Sequence, residues 1–383
     1  MNQSNYTQCE FHLIKAWTSV NSENASSRRR QARRCRVSST PALTSISHQL
    51  SDICIFSIMF DGDDQAVIAT PEGAYMAKLT AGQIVAMPEL ADKRVCLVLG
   101  TRDLRIFGFH GHSGNDIGVE VYRKGCAKLL WKGPVLSRTF AEGEWNMFSG
   151  NAQVSGVHLY MLDQDSVLFK INLNDIRRRY IGSNDVSDVA QEIIGTDIAT
   201  FCVSSSKTKF VWTICNSGIL FKNTIKMNTI NRVYGTFNAM ACTKRYLVVG
   251  QYSNQQQIAN PTESKKSIML KANTYSLFNK LGKKVHDIMI SHASDEYPDI
   301  KDIKIAETRR ACLLFCLSIY SCFDILAINK FKLQIIKLKV SSHPDGGNYF
   351  VNHGIQILRI ETKYILLMIN TSDSMNCYHR ITF

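Results

Sequence analysis

Six arginines fall within nine residues in RRRQARRCR: Arg28, Arg29, Arg30, Arg33, Arg34 and Arg36. A planar guanidinium pairs with phosphate through two parallel hydrogen bonds, so a run of this kind suits a phosphate-rich surface or an import receptor. With Lys15 it sets seven positive charges against Glu10 and Glu23 in residues 1–50, a net +5 of the total +13. Such a run repels itself, and the surrounding Ser and Asn offer no core, so residues 1–50 are expected to be a disordered basic arm. Two other stretches carry candidate chemistry. FDGDDQ (60–65) places carboxylates at a turn, where a divalent ion needs a third ligand from elsewhere. His110-Gly111-His112 sets two imidazoles on one side of a strand, with His158 as the distant third candidate. The first reads as a solvated hairpin turn and the second as a loop at a strand end. No serine elbow, phosphate-cradling glycine loop or paired Cys–His pattern is present, so no catalytic, cofactor or metal residue is assigned and no cofactor is expected.

The elements that would position these groups are strands. VWTICNSGILFKN (211–223) is an apolar run, a short turn ending in Gly218 and a second apolar run. The outline returns at 67–79, 95–109, 159–171, 246–252 with its displaced second half SIMLKANTYSLF, 313–328 and 366–381. Spacing from Val67 to Leu366 averages about 50 residues per copy, the period of propeller blades. Further strand-like runs precede several hairpins, at 51–60, 196–203, 235–242, 299–306 and 354–360. A more polar run follows the sixth, QIIKLKV at 334–340. A helical stripe is confined to the first twenty residues and 185–195. Apolar first and second strands with increasingly polar third and fourth strands are what a radial stack needs, since only the outer edge meets water. The fold class expected is therefore all-β: a seven-bladed β-propeller of four-stranded blades over 51–383, behind the basic arm 1–50. The final run, CYHRITF, is expected to share a blade with the segment near Ser51 and so close the ring.

Across roughly 51–383 this outline resembles WD-repeat propellers in a degenerate form, for Trp131, Trp145 and Trp212 are followed by Lys, Asn and Thr instead of Asp. The stretch 94–118, RVCLVLGTRDLRIFGFHGHSGNDIG, is similar to repeats of the regulator-of-chromosome-condensation family. Both resemblances imply a fold, and neither places a partner-binding residue on this chain.

Composition limits the rest. The first fifteen residues lack a basic start followed by an apolar stretch, and the twelve cysteines include no CxxC pair. Cys54, Cys96, Cys202, Cys215, Cys312 and Cys316 sit in apolar runs, where a free thiol is a small core residue. The chain is accordingly expected to be intracellular, in cytoplasm or nucleus. ACLLFCLSIYSCFDILAI (311–328) reads as two buried strands and a turn, and no membrane partner is expected. Residues 51–383 carry the remaining +8, spread over Arg177-Arg178-Arg179, Lys265-Lys266, Lys283-Lys284 and Arg309-Arg310. The function expected is a non-enzymatic protein-interaction scaffold, with the polar insertion 251–267 as its first candidate docking loop. Two alternatives stand beside it: a hydrolase-like propeller enzyme with a site at the channel mouth, and a chromatin or nucleic-acid associate acting through the arm.

Overall fold

A computed structural model of the chain describes residues 11–12 and 56–382, without 62–63, 79–80, 82, 92, 111–115, 126–127, 133–135, 138–151, 164, 180–188, 205–209, 231–235, 258–267, 292–299, 309–311, 319–321, 343–351, 361–363 and 372–375. Its strands form seven sheets. Strand β1 is Phe11–His12, and blade 1 follows with β2 (Ser57–Phe60), β3 (Gln65–Thr70), β4 (Gly73–Lys78) and β5 (Gln83–Ala86). Blade 2 has β6 (Arg94–Gly100), β7 (Leu104–His110), β8 (Asp116–Arg123), β9 (Leu129–Lys132) and β10 (Leu136–Ser137). Blade 3 holds β11 (Ala152–Ser155), β12 (His158–Leu162), β13 (Leu168–Asn172), helix α1 (Leu173–Arg179) and β14 (Gln191–Gly195). Blade 4 has β15 (Ile198–Val203), β16 (Val211–Cys215), β17 (Ile219–Lys222) and β18 (Ile225–Thr229). Blade 5 has β19 (Thr236–Cys242), β20 (Tyr246–Gln257), β21 (Ile268–Asn279) and β22 (Lys284–Ser291). Blade 6 is built from β23 (Ile300–Glu307), β24 (Cys312–Ser318), β25 (Cys322–Asn329) and β26 (Gln334–Ser342). Blade 7 contains β27 (Asn352–Ile360), β28 (Tyr364–Thr371), β29 (Asn376–Thr382) and β1.

Blades 1 to 6 are antiparallel sheets in which strands pair in chain order. Their first strands, β2, β6, β11, β15, β19, β23 and β27, neighbour one another in sequence, and β27 returns to β2, so they form a closed ring. The result is the expected seven-bladed propeller. Blade 2 has five strands only nominally: β9 and β10 lie along the same outer edge of β8, opposite Glu120–Tyr122 and Asp116–Ile117. Gly133-Pro134 separates the two pieces, and proline has no N–H to give a ladder.

Burial follows radial position. Every residue of β24 is buried, whereas β5 and β18 are mostly exposed. Instead of one central core, apolar clusters join neighbouring blades. Trp131, Leu104 and Val121 of blade 2 pack on Leu159, Met161 and Ile171 of blade 3. Trp212 and Ile214 of blade 4 meet Leu247, Val249 and Phe278 of blade 5. Phe315 and Ile325 of blade 6 meet Ile365 and Leu367 of blade 7. Each blade is thus one half of two cores, which is why no blade stands alone. The repeated turn uses Gly218 at φ 87, a left-handed position open to glycine without cost, and its N–H donates to Cys215 O at 2.8 Å.

Three expectations are corrected. β29 does not share a blade with the segment near Ser51. Its partners are β28 and β1, the latter parallel with Phe11 opposite Ile381. A two-residue strand early in the chain, from within the expected arm, therefore supplies the last edge, while β2 opens blade 1 against β3. Residues 191–195 of the proposed helical stripe form strand β14, and the helix lies earlier, at Leu173–Arg179. There Asn172 Oδ1 accepts from Asn174 N at 3.0 Å, capping the first turn, and Leu173 and Ile176 bury one face. Finally, the copy at 95–109 is β6–β7, the first and second strands of blade 2, whereas the other copies are second and third strands. The tight Thr101-Arg102-Asp103 turn imitates the usual one, and this offset shortened one interval of the repeat.

Candidate functional site

Antiparallel strands alternate in direction, so turns between strands 1–2 and 3–4 of every blade gather at one face of the disc. Turns 2–3 and the blade-to-blade connections gather at the other. The charge follows this division. Described turns of the first face carry Arg102, Lys124, Lys128, Arg177, Arg178, Lys244, Arg245, Lys280, Lys283, Lys330 and Lys332 against Asp61, Asp64, Asp103 and Asp175. Those of the second carry Glu72, Glu89, Asp163, Asp165 and Asp197 against Lys93. The basic charge that looked scattered along the chain is, in the described turns, sorted onto one face by strand direction.

Between the faces runs a channel lined by the seven first strands, with a cavity of about 360 Å³. Its wall is mainly apolar, and among the described lining residues Lys304 is the charged one. Lys304 Nζ pairs with Asp302 Oδ2 at 2.9 Å. Two glutamines serve the ring itself. Gln153 of β11 accepts from Val203 N at 2.9 Å and donates to Phe201 O at 3.5 Å, bridging blades 3 and 4. Gln356 of β27 accepts from Ile58 N at 3.1 Å and donates to Ile58 O, bridging blades 7 and 1. Each amide satisfies inner-strand groups that the blade's own ladder leaves free. Gln356→Ala is expected to cost about 1–3 kcal/mol by stranding Ile58 N and O, and Gln153→Ala a similar amount. Urea unfolding checks this: the two losses should add in the double variant, because the sites are on different junctions.

Cys202 of blade 4 and Cys242 of blade 5 hydrogen-bond to each other at the same wall. Burial pushes the Cys202 thiol up, and the neighbouring thiol adds to the shift, so Cys202 stays protonated and unreactive. Cys96, Cys312 and Cys316 are likewise buried thiols outside any disulfide, and Cys215 is half-buried. Cys54 lies outside the described residues.

The other sequence candidates resolve as follows. Arg28, Arg29, Arg30, Arg33, Arg34 and Arg36 lie outside the described residues, as do His112, Lys265-Lys266 and Arg309-Arg310. Asp61 of FDGDDQ is an ion-pair anchor: Arg105 Nη2 donates to its Oδ2 at 2.9 Å and Lys124 Nζ to its Oδ1. Burial alone would raise its pKa, but these two cations outweigh burial and hold the carboxyl below its ordinary value. The contacts tie blade 1 to β7 and to the turn after β8 in blade 2. Arg177, from the Arg177-Arg178-Arg179 run, holds Asp103 with two hydrogen bonds of 2.7 and 2.6 Å, linking α1 to the first turn of blade 2. His158 stacks edge-on against Tyr160. Among the described residues no group of three or more His, Cys, Asp and Glu side chains is placed to hold a metal. The stretch 311–328 forms β24 and β25, two buried strands, and no described helix is long and apolar enough to cross a membrane.

Blade 5 departs most from the others. β20 and β21 each run twelve residues and pair along their whole length, from Tyr246 opposite Asn279 to Gln257 opposite Ile268. Their outer neighbours stop sooner: β19 ends its pairing at Tyr252 and β22 at Ala272. Residues 253–257 and 268–271 thus form a two-stranded ribbon continuing past the blade on the acidic face, with both outer edges unpaired among the described residues. The sequence marked 251–267 as a polar loop because Ser-Asn-Gln-Gln-Gln carries little strand propensity. The missed signal was that SIMLKANTYSLF begins well before the blade needs its third strand.

No family model matches the chain, and no curated protein matches it. Solved structures do match in shape. The RRP9 WD40 repeats align over 83% of this chain and 88% of theirs, at TM-score 0.51 and 10% identity. U3-55K aligns over 83% and 89% at TM-score 0.51 and 11% identity, and the Dos1 propeller over 85% and 80% at 0.52 and 9%. What is shared is the fold, a WD-repeat-like β-propeller.

Proposed function

We propose that this propeller is a non-enzymatic protein-interaction scaffold whose partner docks on the ribbon of blade 5. The observation that carries the reading is the pair of ribbon edges, at 253–257 and 268–271, that are unpaired among the described residues. An exposed edge offers a row of N–H and C=O groups to an incoming extended segment, which adds as a further strand. The rest of the molecule is compatible with a rigid support: blades locked by shared cores, and a channel whose polar side chains are engaged with protein groups. Its buried free thiols suit a reducing, intracellular compartment.

Replacing 254–271 with Asn-Gly, a two-residue hairpin turn between the opposed Ser253 and Ala272, removes the ribbon and keeps the register of the blade. Affinity capture from native extract should lose the proteins held by the full chain, with an unchanged melting temperature. Retention of the same proteins would place docking elsewhere. The arginine arm is proposed as a separate contact for phosphate or an import receptor. Replacing Arg28, Arg29, Arg30, Arg33, Arg34 and Arg36 by Ser should remove any nucleic acid from the captured material and flatten its salt dependence, without affecting ribbon partners.

A further inference from the structure

On the basic face, the turns joining third and fourth strands in blades 5 and 6, and the first residues of the fourth strand in blade 4, share a feature. Each puts a large apolar side chain in water among lysines. Ile225 is 66% exposed beside Lys226, and Leu281 is 65% exposed between Lys280 and Lys283. Phe331, between Lys330 and Lys332, is 84% exposed. Exposed apolar side chains are ordinary when scattered, but three on consecutive blades at one end form a patch.

These turns are built to hold their tips out. NKLGK (279–283) and NKFKL (329–333) begin with the same asparagine device. Asn279 Oδ1 accepts from Leu281 N at 2.9 Å and Lys283 N at 3.1 Å, and Asn329 Oδ1 accepts from Phe331 N at 3.0 Å and Lys332 N at 3.1 Å. The outer strands of blade 4 brace the blade 5 turn: Lys222 Nζ of β17 donates to Lys280 O at 2.9 Å and Asn228 Nδ2 of β18 to Gly282 O at 3.1 Å. Gly282, at φ 73, admits no side chain, because a Cβ there would come within 2.8 Å of Met227 Cβ. β22 lies beside β26, so the turns of blades 5 and 6 are neighbours as well. Lys284 pairs with Asp287 and Lys330 with Glu307, whereas Lys226, Lys280, Lys283 and Lys332 are exposed and form no ion pair among the described residues.

We propose that this crest docks the protein on the surface of an anionic lipid bilayer, with Ile225, Leu281 and Phe331 entering the acyl boundary while the lysines remain at headgroup level. A bilayer interface accepts an apolar tip and a surrounding cation together, and anionic lipid attracts the cations. Nucleic acid accounts for the lysines but not for two aliphatic tips, which have no ring face for a base to stack on. The expectation of no membrane partner rests on the lack of a spanning segment, and a crest of turns that enters only the interface is a different device. It lies on the face opposite the ribbon, so this inference and the scaffold reading fail separately.

The test is sedimentation of the full chain with phosphatidylcholine vesicles, with and without about one-third phosphatidylserine. Binding is expected to the anionic vesicles only and to weaken with salt. Leu281→Ser with Phe331→Ser should lower that affinity by about tenfold or more. Lys280→Glu, Lys283→Glu and Lys332→Glu together should lower it further, and all variants should keep the parent melting temperature. In a chain whose six arm arginines are replaced by Ser, Leu281→Ser with Phe331→Ser should cause the same loss. Equal binding to neutral vesicles, or anionic binding unchanged by Leu281→Ser with Phe331→Ser, overturns the proposal. So does binding of a single-stranded oligonucleotide that the lysine reversals abolish and the serine substitutions leave untouched.

Discussion

Removing residues 376–383 is expected to abolish cooperative folding of the whole ring. β29 pairs with β28 over seven opposed residues, from Tyr364–Thr382 to Asn370–Asn376, and it is the strand on which β1 sits. At about 1 kcal/mol for each net hydrogen bond, that ladder alone is worth several kcal/mol, comparable with the ~5–15 kcal/mol that separates a folded domain from its unfolded chain. Its loss leaves blade 7 as the hairpin β27–β28, and a lone hairpin is marginal in water. The damage spreads because Ile365, Leu367 and Ile369 of β28 are buried against Leu313, Phe315 and Ile325 of blade 6. Circular dichroism of the truncated chain should show no sharp melt. A transition within two degrees of the full chain would mean that β29 is dispensable.

Asp324→Asn is expected to stabilise the protein at neutral pH and to remove a pH-dependent loss. Asp324 is buried on β25, facing Tyr275 of blade 5 and Cys316 of β24. Tyr275 Oη reaches its Oδ2 only at 3.5 Å, and its Oδ1 has no hydrogen-bond partner among the described residues. Burial pushes the carboxyl from 3.8 up to about 6, against the opposing pull of Lys337 and Tyr275. Below about pH 4 the acid is neutral in folded and unfolded chains alike, and it contributes no penalty. Between about 4 and 6 the unfolded chain releases the proton while the folded one keeps it, so stability falls as pH rises. Above about 6 the penalty is constant, on the order of 3 kcal/mol at 1.36 kcal/mol for each pKa unit. Urea unfolding of parent and variant across pH 4 to 7 isolates this group, because other titrations cancel in the difference. The variant's advantage should grow from near zero to a few kcal/mol, and a flat difference would show that Asp324 ionises as easily folded as unfolded.

The blades were legible because their physics is local. A buried strand reads as an apolar run and a tight turn as Gly, Asn or Asp, so VWTICNSGILFKN announces β16 and β17 without tertiary knowledge. What could not be read was anything fixed by meeting partners. Gln153 and Gln356 look like isolated polar residues in apolar strands until the neighbouring blade brings Val203 and Ile58 to them. The Asp61–Arg105–Lys124 ties span 44 and 63 positions, and the linear sequence showed only an acidic turn. Face polarity was present in principle: assigning each lysine to an odd or even turn would have sorted it. The repeated Asn-Lys-apolar turn is also present in the sequence at 279–283 and 329–333, but its exposure depends on which blades stand side by side.

The meeting of Phe11 with Ile381, and of Gln356 with Ile58 across 298 positions, bears on how the chain is made. β1 emerges from the ribosome long before β29, so blades 1 to 6 can stack in order on the emerging chain while blade 7 and its junction with blade 1 must wait. Until β27 to β29 have emerged, the flank of blade 1 that meets blade 7 and the flank of blade 6 are both open to other chains. Closure of so long a loop is slow compared with formation of a hairpin. The nascent protein therefore has its greatest need of a chaperone in the interval between the appearance of β23 and that of β29.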